Sequence, residues 1–180
     1  MRKLFILAAM ILKIGFASGQ TTSIYSFQIN SIDGQRTIDF SAFKGKKILI
    51  VNTASQDTSF NQYVDLKQLC QLYKDSLVIV VFPSNSFNTE TGSNNQITSA
   101  YSQSSTGNFF VAEKVNVNNT SIHPLYLWLT SALLNGRLNT QISRPCFKFL
   151  INKKGELVGV YGQRIRPLNG ILRQAIELNN

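Results

Sequence analysis

The chain has 180 residues, of which 43% are hydrophobic and 11% aromatic, which is enough for one domain with a core and too few for two comfortable domains. Its formal charge of +9 comes from 18 basic and 9 acidic side chains, but the basic residues are scattered and not interleaved with aromatic ones, which argues against a nucleic-acid partner. The two cysteines, Cys70 and Cys146, are too far apart in the sequence for a redox CxxC pair, and their spacing does not suggest a metal site; we expect no bound cofactor.

The first residues follow the pattern of a signal peptide. Two basic residues precede the apolar run Leu4–Leu12, and small residues follow it. The run is shorter than the about 20 apolar residues that cross a membrane. We therefore expect residues 1–19 to be removed before Gln20, and an exported protein, periplasmic or secreted, with one domain over residues 20–180 and no stable membrane anchor. The alternative is a frayed N-terminal helix of that domain.

The first predicted elements after this segment are a hairpin and a βαβ unit. Tyr25–Ile29 and Arg36–Phe40 flank an Asp-Gly dipeptide that favours a tight turn. Lys47–Ala54 and Leu77–Pro83 are nearly continuous β-branched runs, typical of parallel strands covered on both faces. Apolar residues recur at helical spacing over Tyr63–Tyr73 and predict the helix that connects these strands.

The rest of the chain alternates between strands and helices. A polar stretch over residues 84–108 predicts mostly loop, with one helix around Asn94–Tyr101. The elements predicted after it are a strand over Phe109–Val117, a helix from His123 to Leu134, strands over Cys146–Ile151 and Leu157–Tyr161, and a helix from Pro167 onward. This order predicts a thioredoxin-like α/β fold: a central mixed β-sheet flanked by helices, with an N-terminal β-hairpin.

Motifs in a fixed order run along the predicted domain. They are Val51-Asn52-Thr53-Ala54-Ser55-Gln56-Asp57 with Gln62-Tyr63, Phe82-Pro83-Ser84-Asn85-Ser86-Phe87 with Gly92-Ser93-Asn94, Glu113-Lys114-Val115-Asn116-Val117 with His123-Pro124-Leu125-Tyr126, and Lys148-Phe149-Leu150-Ile151 with Gly155, Tyr161-Gly162 and Pro167. In this order they resemble the glutathione peroxidase family. The resemblance implies an oxidative-stress protein that reduces hydrogen peroxide or organic hydroperoxides, with glutathione or thioredoxin as the thiol reductant.

The residues at the family's catalytic positions depart from the family pattern. The resemblance places Asp57 where the family keeps the cysteine or selenocysteine that attacks peroxide, and a carboxylate cannot be oxidised and recycled as sulfur can. The family's glutamine is missing from residues 88–90, and Arg144 and Pro145 stand at its tryptophan and asparagine positions. Residues 101–102, which match the resolving cysteine of thioredoxin-dependent members, contain no sulfur. We therefore expect a retained scaffold with a lost peroxidase site.

Two features of these positions remain open in the sequence. Asp57 and Arg144 converge in the family's pocket, so they either form an ion pair or point independently into solvent. The bond between Arg144 and Pro145 is either cis or trans, because thioredoxin-like folds often place a cis-proline before this strand.

The remaining candidate residues favour structural roles. His123, the only histidine, matches a motif at a helix start, where we expect capping and not catalysis. Trp128 lies in the helix that follows, and we expect its side chain to pack in the core. Cys70 and Cys146 are interpreted as two separate buried thiols, with a disulfide as the alternative.

Three functions are compatible with these observations. The first is a catalytically inactive family member that binds a small-molecule thiol or a protein partner through the former active-site pocket. The second is a peroxidase that uses Cys146, two residues from Arg144 and so predicted on the same strand face, where the guanidinium would favour the thiolate. The third is a structural module without a ligand.

Overall fold

A computed structural model of the chain describes residues 22–54, 62–101 and 107–178. The strands are β1 (Gln28–Asn30), β2 (Thr37–Asp39), β3 (Lys47–Thr53), β4 (Leu77–Pro83), β5 (Phe109–Val111), β6 (Lys148–Ile151) and β7 (Leu157–Tyr161). The helices are α1 (Tyr63–Leu72), α2 (Asn94–Tyr101), α3 (Pro124–Thr130), α4 (Ala132–Asn135) and α5 (Gly170–Glu177). β1 and β2 form an antiparallel hairpin, and the other strands form one sheet in the order β5-β4-β3-β6-β7.

The sheet is mixed: β5, β4 and β3 form a parallel part on one side, and β6 and β7 form an antiparallel part on the other. β3 pairs in parallel with β4, and β4 with β5, whereas β6 pairs antiparallel with both β3 and β7. Every residue of β3 and β4 is buried, because both faces of these strands are covered. The continuous apolar runs in the sequence follow from this double burial.

Each face of the sheet carries its own core. Side chains alternate along β3, so Ile48 and Ile50 face one core and Leu49 and Val51 face the other. The first core also contains the hairpin and α3, and the second contains α1, α2 and α5. The predicted arrangement, a mixed sheet flanked by helices with an N-terminal hairpin, is therefore confirmed.

Two predicted elements were too long at their C-terminal ends. β5 ends at Val111, because the following backbone divides its hydrogen bonds: the N–H of Glu113 donates to Asn30 in the hairpin and that of Val115 donates to Pro83 in the sheet. The helix predicted from His123 to Leu134 breaks at Ser131, whose backbone is extended. The side chain of Asn139 then accepts a 2.7 Å hydrogen bond from the backbone N–H of Ala132.

Two other predicted elements began too early. The strand predicted from Cys146 is β6, which starts at Lys148, because Cys146 has a left-handed backbone with φ of 62°. The final helix starts at Gly170, where the side chain of Asn169 caps it by accepting a hydrogen bond from the N–H of Ile171.

The predicted signal peptide over residues 1–19 lies outside the described residues. Within the described ranges, no helix has both the length and the apolar character needed to cross a membrane.

Candidate functional site

The candidate site lies at the end of β3, where the main-chain path leaves the sheet toward α1. β3 ends at Thr53, and α1 begins at Tyr63 after the cap residue Gln62. Asp57, predicted at the family's nucleophile position, lies between them and outside the described residues, and so does its predicted ion pair with Arg144. The described part of the site is therefore built from the end of β3, the start of α1 and the turn that precedes β6.

Asn52 holds this turn in place across the sheet. Its side-chain Nδ2 donates to the backbone oxygen of Arg144 at 3.2 Å, and its Oδ1 accepts from the N–H of Phe147 at 3.0 Å. The backbone oxygen of Asn52 accepts a third hydrogen bond, of 2.7 Å, from the N–H of Cys146. Since Asn52 is completely buried, these bonds fix the turn from the interior.

The turn directs its residues in different directions. Arg144 is exposed, whereas Pro145 and Cys146 are buried. The prediction that Arg144 and Cys146 share a strand face was wrong, because neither residue belongs to β6 and strand alternation does not apply to a turn. The bond between Arg144 and Pro145 is trans, which decides the alternative that the sequence left open.

Cys146 lines a small cavity between the end of β3 and the start of α1. The cavity is also lined by Thr53, Ala54, Gln62, Tyr63, Leu66 and Tyr101. Its volume of about 10 Å³ is close to the minimum that holds one water molecule. The hydroxyl oxygen of Thr53 and the side-chain oxygen of Gln62 are buried without a hydrogen-bond partner. The cavity therefore offers two polar atoms to a single small molecule.

Two ionisable residues border the thiol. Lys148 is completely buried, and its Nζ donates a 2.7 Å hydrogen bond to the backbone oxygen of Cys146. Burial lowers the pKa of Lys148 to about 8, although the neighbouring Cys146 and Asp65 act in the opposite direction. Burial also raises the pKa of Tyr101. The nearby Thr53 hydroxyl partly offsets this rise in the pKa of Tyr101. The two groups are close, but they are not within hydrogen-bonding geometry.

Sequence reasoning missed two buried charged residues near the site. Lys148 entered only as part of a motif, yet a lysine inside an otherwise apolar strand is itself a signal, since buried lysines require a partner. Glu90, in the stretch that lacks the family's glutamine, is completely buried, and its charge contributes to the raised pKa of Tyr101. No sequence pattern would have predicted that burial, because the segment contains mostly polar residues.

The residues assigned to structural roles occupy them. The side chain of His123 caps α3 by accepting a 3.2 Å hydrogen bond from the N–H of Leu125. Trp128 packs in the first core, with 3% of its surface exposed. Cys70 lies in α1 and packs in the second core, and neither it nor Cys146 is in a disulfide. The interpretation as two separate buried thiols is therefore confirmed.

A wider cleft of about 620 Å³ opens next to the small cavity. Arg144 and Phe147 line it from the turn before β6, and a second group of residues lines it from the loop after β7. We name it the arginine cleft, and its polar and charged lining residues are Gln62, Arg144, Gln163, Arg164 and Arg166. Gln62 lines both spaces, so the cleft and the cavity adjoin.

Comparisons with known proteins identify the scaffold. The glutathione peroxidase family model matches residues 24–130. A probable phospholipid hydroperoxide glutathione peroxidase of Citrus sinensis is 37% identical over 156 residues, which cover 85% of this chain and 92% of that protein. The glutathione peroxidase homolog BsaA of Halalkalibacterium halodurans is 36% identical over 148 residues, covering 81% and 93% of the two chains.

A solved structure has the same fold. The crystal structure of Trgpx in apo form superposes with a TM-score of 0.64 at 29% identity, covering 87% of this chain and 97% of that chain. The predicted thioredoxin-like fold is thereby confirmed. The family match spans more than half of the chain, and the curated relatives cover most of it at more than 30% identity. The chain therefore belongs to the glutathione peroxidase family.

Proposed function

We propose that this protein is an exported member of the glutathione peroxidase family that does not turn over peroxide and instead binds a ligand at the former active site. The observation that carries the proposal is the burial of both thiols: Cys70 is 1% exposed and Cys146 is 2% exposed. Peroxide reduction by this family requires a thiol or selenol that meets its substrate, and reactive cysteines are partly exposed whereas buried ones are inert. The family resemblance also places Asp57, which has no sulfur, at the nucleophile position.

A coupled peroxidase assay tests this proposal. The purified protein is mixed with hydrogen peroxide or an organic hydroperoxide, with glutathione or with thioredoxin and its reductase, and oxidation of the reductant is followed. We expect the reductant to be oxidised no faster than in the same mixture without the protein. Titration with a chromophoric disulfide reagent adds an independent measurement: neither cysteine should react in the native protein, and both should react after denaturation. Turnover that depends on the protein would contradict the proposal.

A second candidate function is a peroxidase that uses Cys146. It is favoured by the small cavity, which brings the Cys146 side chain together with the unpartnered oxygens of Thr53 and Gln62. Because the cavity has room for about one water molecule, such an enzyme would accept hydrogen peroxide and exclude bulky organic hydroperoxides. Turnover that is abolished by Cys146→Ser and retained by the matched variant Cys70→Ser would establish this function and overturn the first.

Export is a separate part of the proposal and rests on the sequence of residues 1–19. Fractionation of cells that express the full chain, with detection of a tag at the C-terminus, tests it. We expect a processed protein outside the cytoplasm, and an unprocessed cytoplasmic protein when residues 1–19 are deleted. A full-length product that stays in the cytoplasm would refute export without affecting the proposal on turnover.

A further inference from the structure

The two edges of the five-stranded sheet differ in how they are covered. β5 forms one edge and β7 the other. The N-terminal hairpin covers the first edge, because the N–H of Ile32 donates to the oxygen of Val111 at 3.0 Å. β7 pairs with β6 on its inner side, and no other residue in the described ranges forms a hydrogen bond with its backbone. The outer side of β7 is therefore an open sheet edge, with backbone N–H and C=O groups available to another strand.

β7 has little of the protection that exposed edge strands usually carry. Soluble proteins block such edges with charged residues, proline or β-bulges. Leu157–Tyr161 contains neither a charged residue nor a proline. A shift in register occurs at the start of the strand, but residues 159–161 pair regularly with residues 148–150 of β6. The regular part of this edge is therefore open and uncharged.

Exposed apolar side chains of α5 lie next to this edge. Ile171 is 60% exposed and Leu178 is 56% exposed, and their spacing of seven residues places them on one side of the helix. Arg173 faces α1, since its Nε donates to the hydroxyl of Tyr73, and Ile171 lies about 200° around the helix from it. Because α1 connects β3 and β4 and α5 packs with residues of β6 and β7, the side of α5 away from α1 is the β7 side.

The charges at the two ends of β7 are opposite in sign. Glu156 precedes the strand, and Arg164 follows it in the loop before α5. Glu156 is bonded to Arg137, but 44% of its side chain stays exposed. In an antiparallel pair the start of one strand lies beside the end of the other. Two copies of this edge would therefore bring Glu156 of each copy near Arg164 of the other, which favours the pairing.

From these observations we infer that β7 is the interface of a twofold dimer, in which the β7 strands of two copies pair antiparallel. The two sheets would then form one sheet of ten strands, since each copy contributes five. A second copy fits this edge because every contact across a twofold axis occurs twice. The same axis makes the two α5 helices antiparallel, so that Ile171 of one copy lies opposite Leu178 of the other. The inference concerns a different surface from the proposed ligand site and does not depend on it.

Analytical ultracentrifugation of the purified protein over a range of concentrations tests the inference. One short strand pair with a few side chains forms an interface below about 1,200 Å², which is typical of weak complexes. We therefore expect a reversible equilibrium between monomer and dimer, with a dissociation constant of about 10–100 µM. Hydrogen exchange gives the location, because the backbone amides of β7 should exchange more slowly above this concentration than below it.

Charge substitutions in β7 test the strand pairing directly. Val160→Lys places two lysines near the twofold axis, and repulsion between them should raise the dissociation constant at least about fivefold. Val160→Glu should do the same for two carboxylates. An equal mixture of the two variants should associate more tightly than either variant alone, because opposite charges then face each other. Recovery in the mixture would also show that both variants are folded.

A substitution on α5 tests the interface without changing the sheet. Ile171→Asp should raise the dissociation constant at least about threefold, because it removes an apolar contact that occurs twice. The side chain is 60% exposed, so the fold should be retained. Val64→Asp is the matched control, because Val64 is 64% exposed but lies on α1; its dissociation constant should equal that of the unsubstituted protein.

Two results would overturn the inference. The first is a protein that stays monomeric at every concentration tested. The second is a dimer whose dissociation constant is unchanged by both Val160→Lys and Ile171→Asp, since such a dimer would use another surface. The peroxidase assay remains independent of either result, because the interface contains none of the residues that line the small cavity.

Discussion

The contribution of the buried Lys148 to the stability of this protein should rise with pH between about 7 and 10. Lys148 has a pKa of about 8 in the folded protein and an ordinary value of 10.5. Between these values the unfolded chain holds the proton and the folded protein does not, so the free energy of unfolding increases with pH. Below pH 8 the folded protein carries the full cost of a buried ammonium, and this cost is removed progressively as the pH rises from 8 to 10.5.

The size of the effect follows from the shift in pKa. Because one pKa unit corresponds to about 1.4 kcal/mol, we expect a gain of about 2–3 kcal/mol in the free energy of unfolding between pH 7 and pH 10. Lys148→Met keeps the length and apolar stem of the side chain and removes the ionisable group, so it should remove this gain. Conversion of the shift to a free energy is justified here because the side chain is completely buried.

Urea unfolding of both proteins, followed by tryptophan fluorescence at a series of pH values, measures the effect. Burial raises the pKa of Tyr101 and Tyr126, which lowers stability at high pH, but this contribution cancels in the difference between the two proteins. The exposed residue Lys74 provides the control variant Lys74→Met, whose profile should be parallel to that of the unsubstituted protein. Parallel profiles for Lys148→Met and the unsubstituted protein would refute a neutralised Lys148.

Three further predictions concern the turn, the α3 cap and the glycines, and urea unfolding checks each. Asn52→Ala should lower the free energy of unfolding by about 1–3 kcal/mol, because it leaves two partly buried backbone groups without their partner. A reactive Cys146 in the variant would show that the turn has opened. His123→Ala should lower the free energy of unfolding by about 0.5–2 kcal/mol, because it removes the α3 cap. Since burial lowers the pKa of His123, the free energy of unfolding should also fall as the pH drops below the ordinary pKa of 6.5. His123→Asn should keep the cap without this dependence on acid. Gly155→Ala should lower the free energy of unfolding more than Gly34→Ala does, although both glycines have positive φ. The reason is that a Cβ at Gly155 would lie 2.5 Å from Tyr25, whereas a Cβ at Gly34 would meet no atom within 4 Å. Equal losses in the two variants would contradict this contact.

The accuracy of the sequence predictions varied with how completely each element is buried. β4 has the predicted bounds and β3 differs by one residue at its end, because both strands are fully buried and read as continuous apolar runs in the sequence. Phe109–Val117 has a similar apolar pattern, yet only its first three residues are a strand. The later residues bond alternately to the hairpin and to the sheet, and tertiary contacts of that kind leave no local signal.

The turn before β6 shows why the site was harder to predict than the fold. Strand alternation predicted Arg144 and Cys146 on one face, side by side, as a peroxidase with an activated thiol would require. Asn52, which lies 92 residues before Arg144 in the sequence, binds the turn instead and holds Cys146 at positive φ. Its hydrogen bonds turn the thiol into the interior and leave the guanidinium in the open cleft. A distant buried side chain has thus separated the two groups that sulfur chemistry at Cys146 would have needed together.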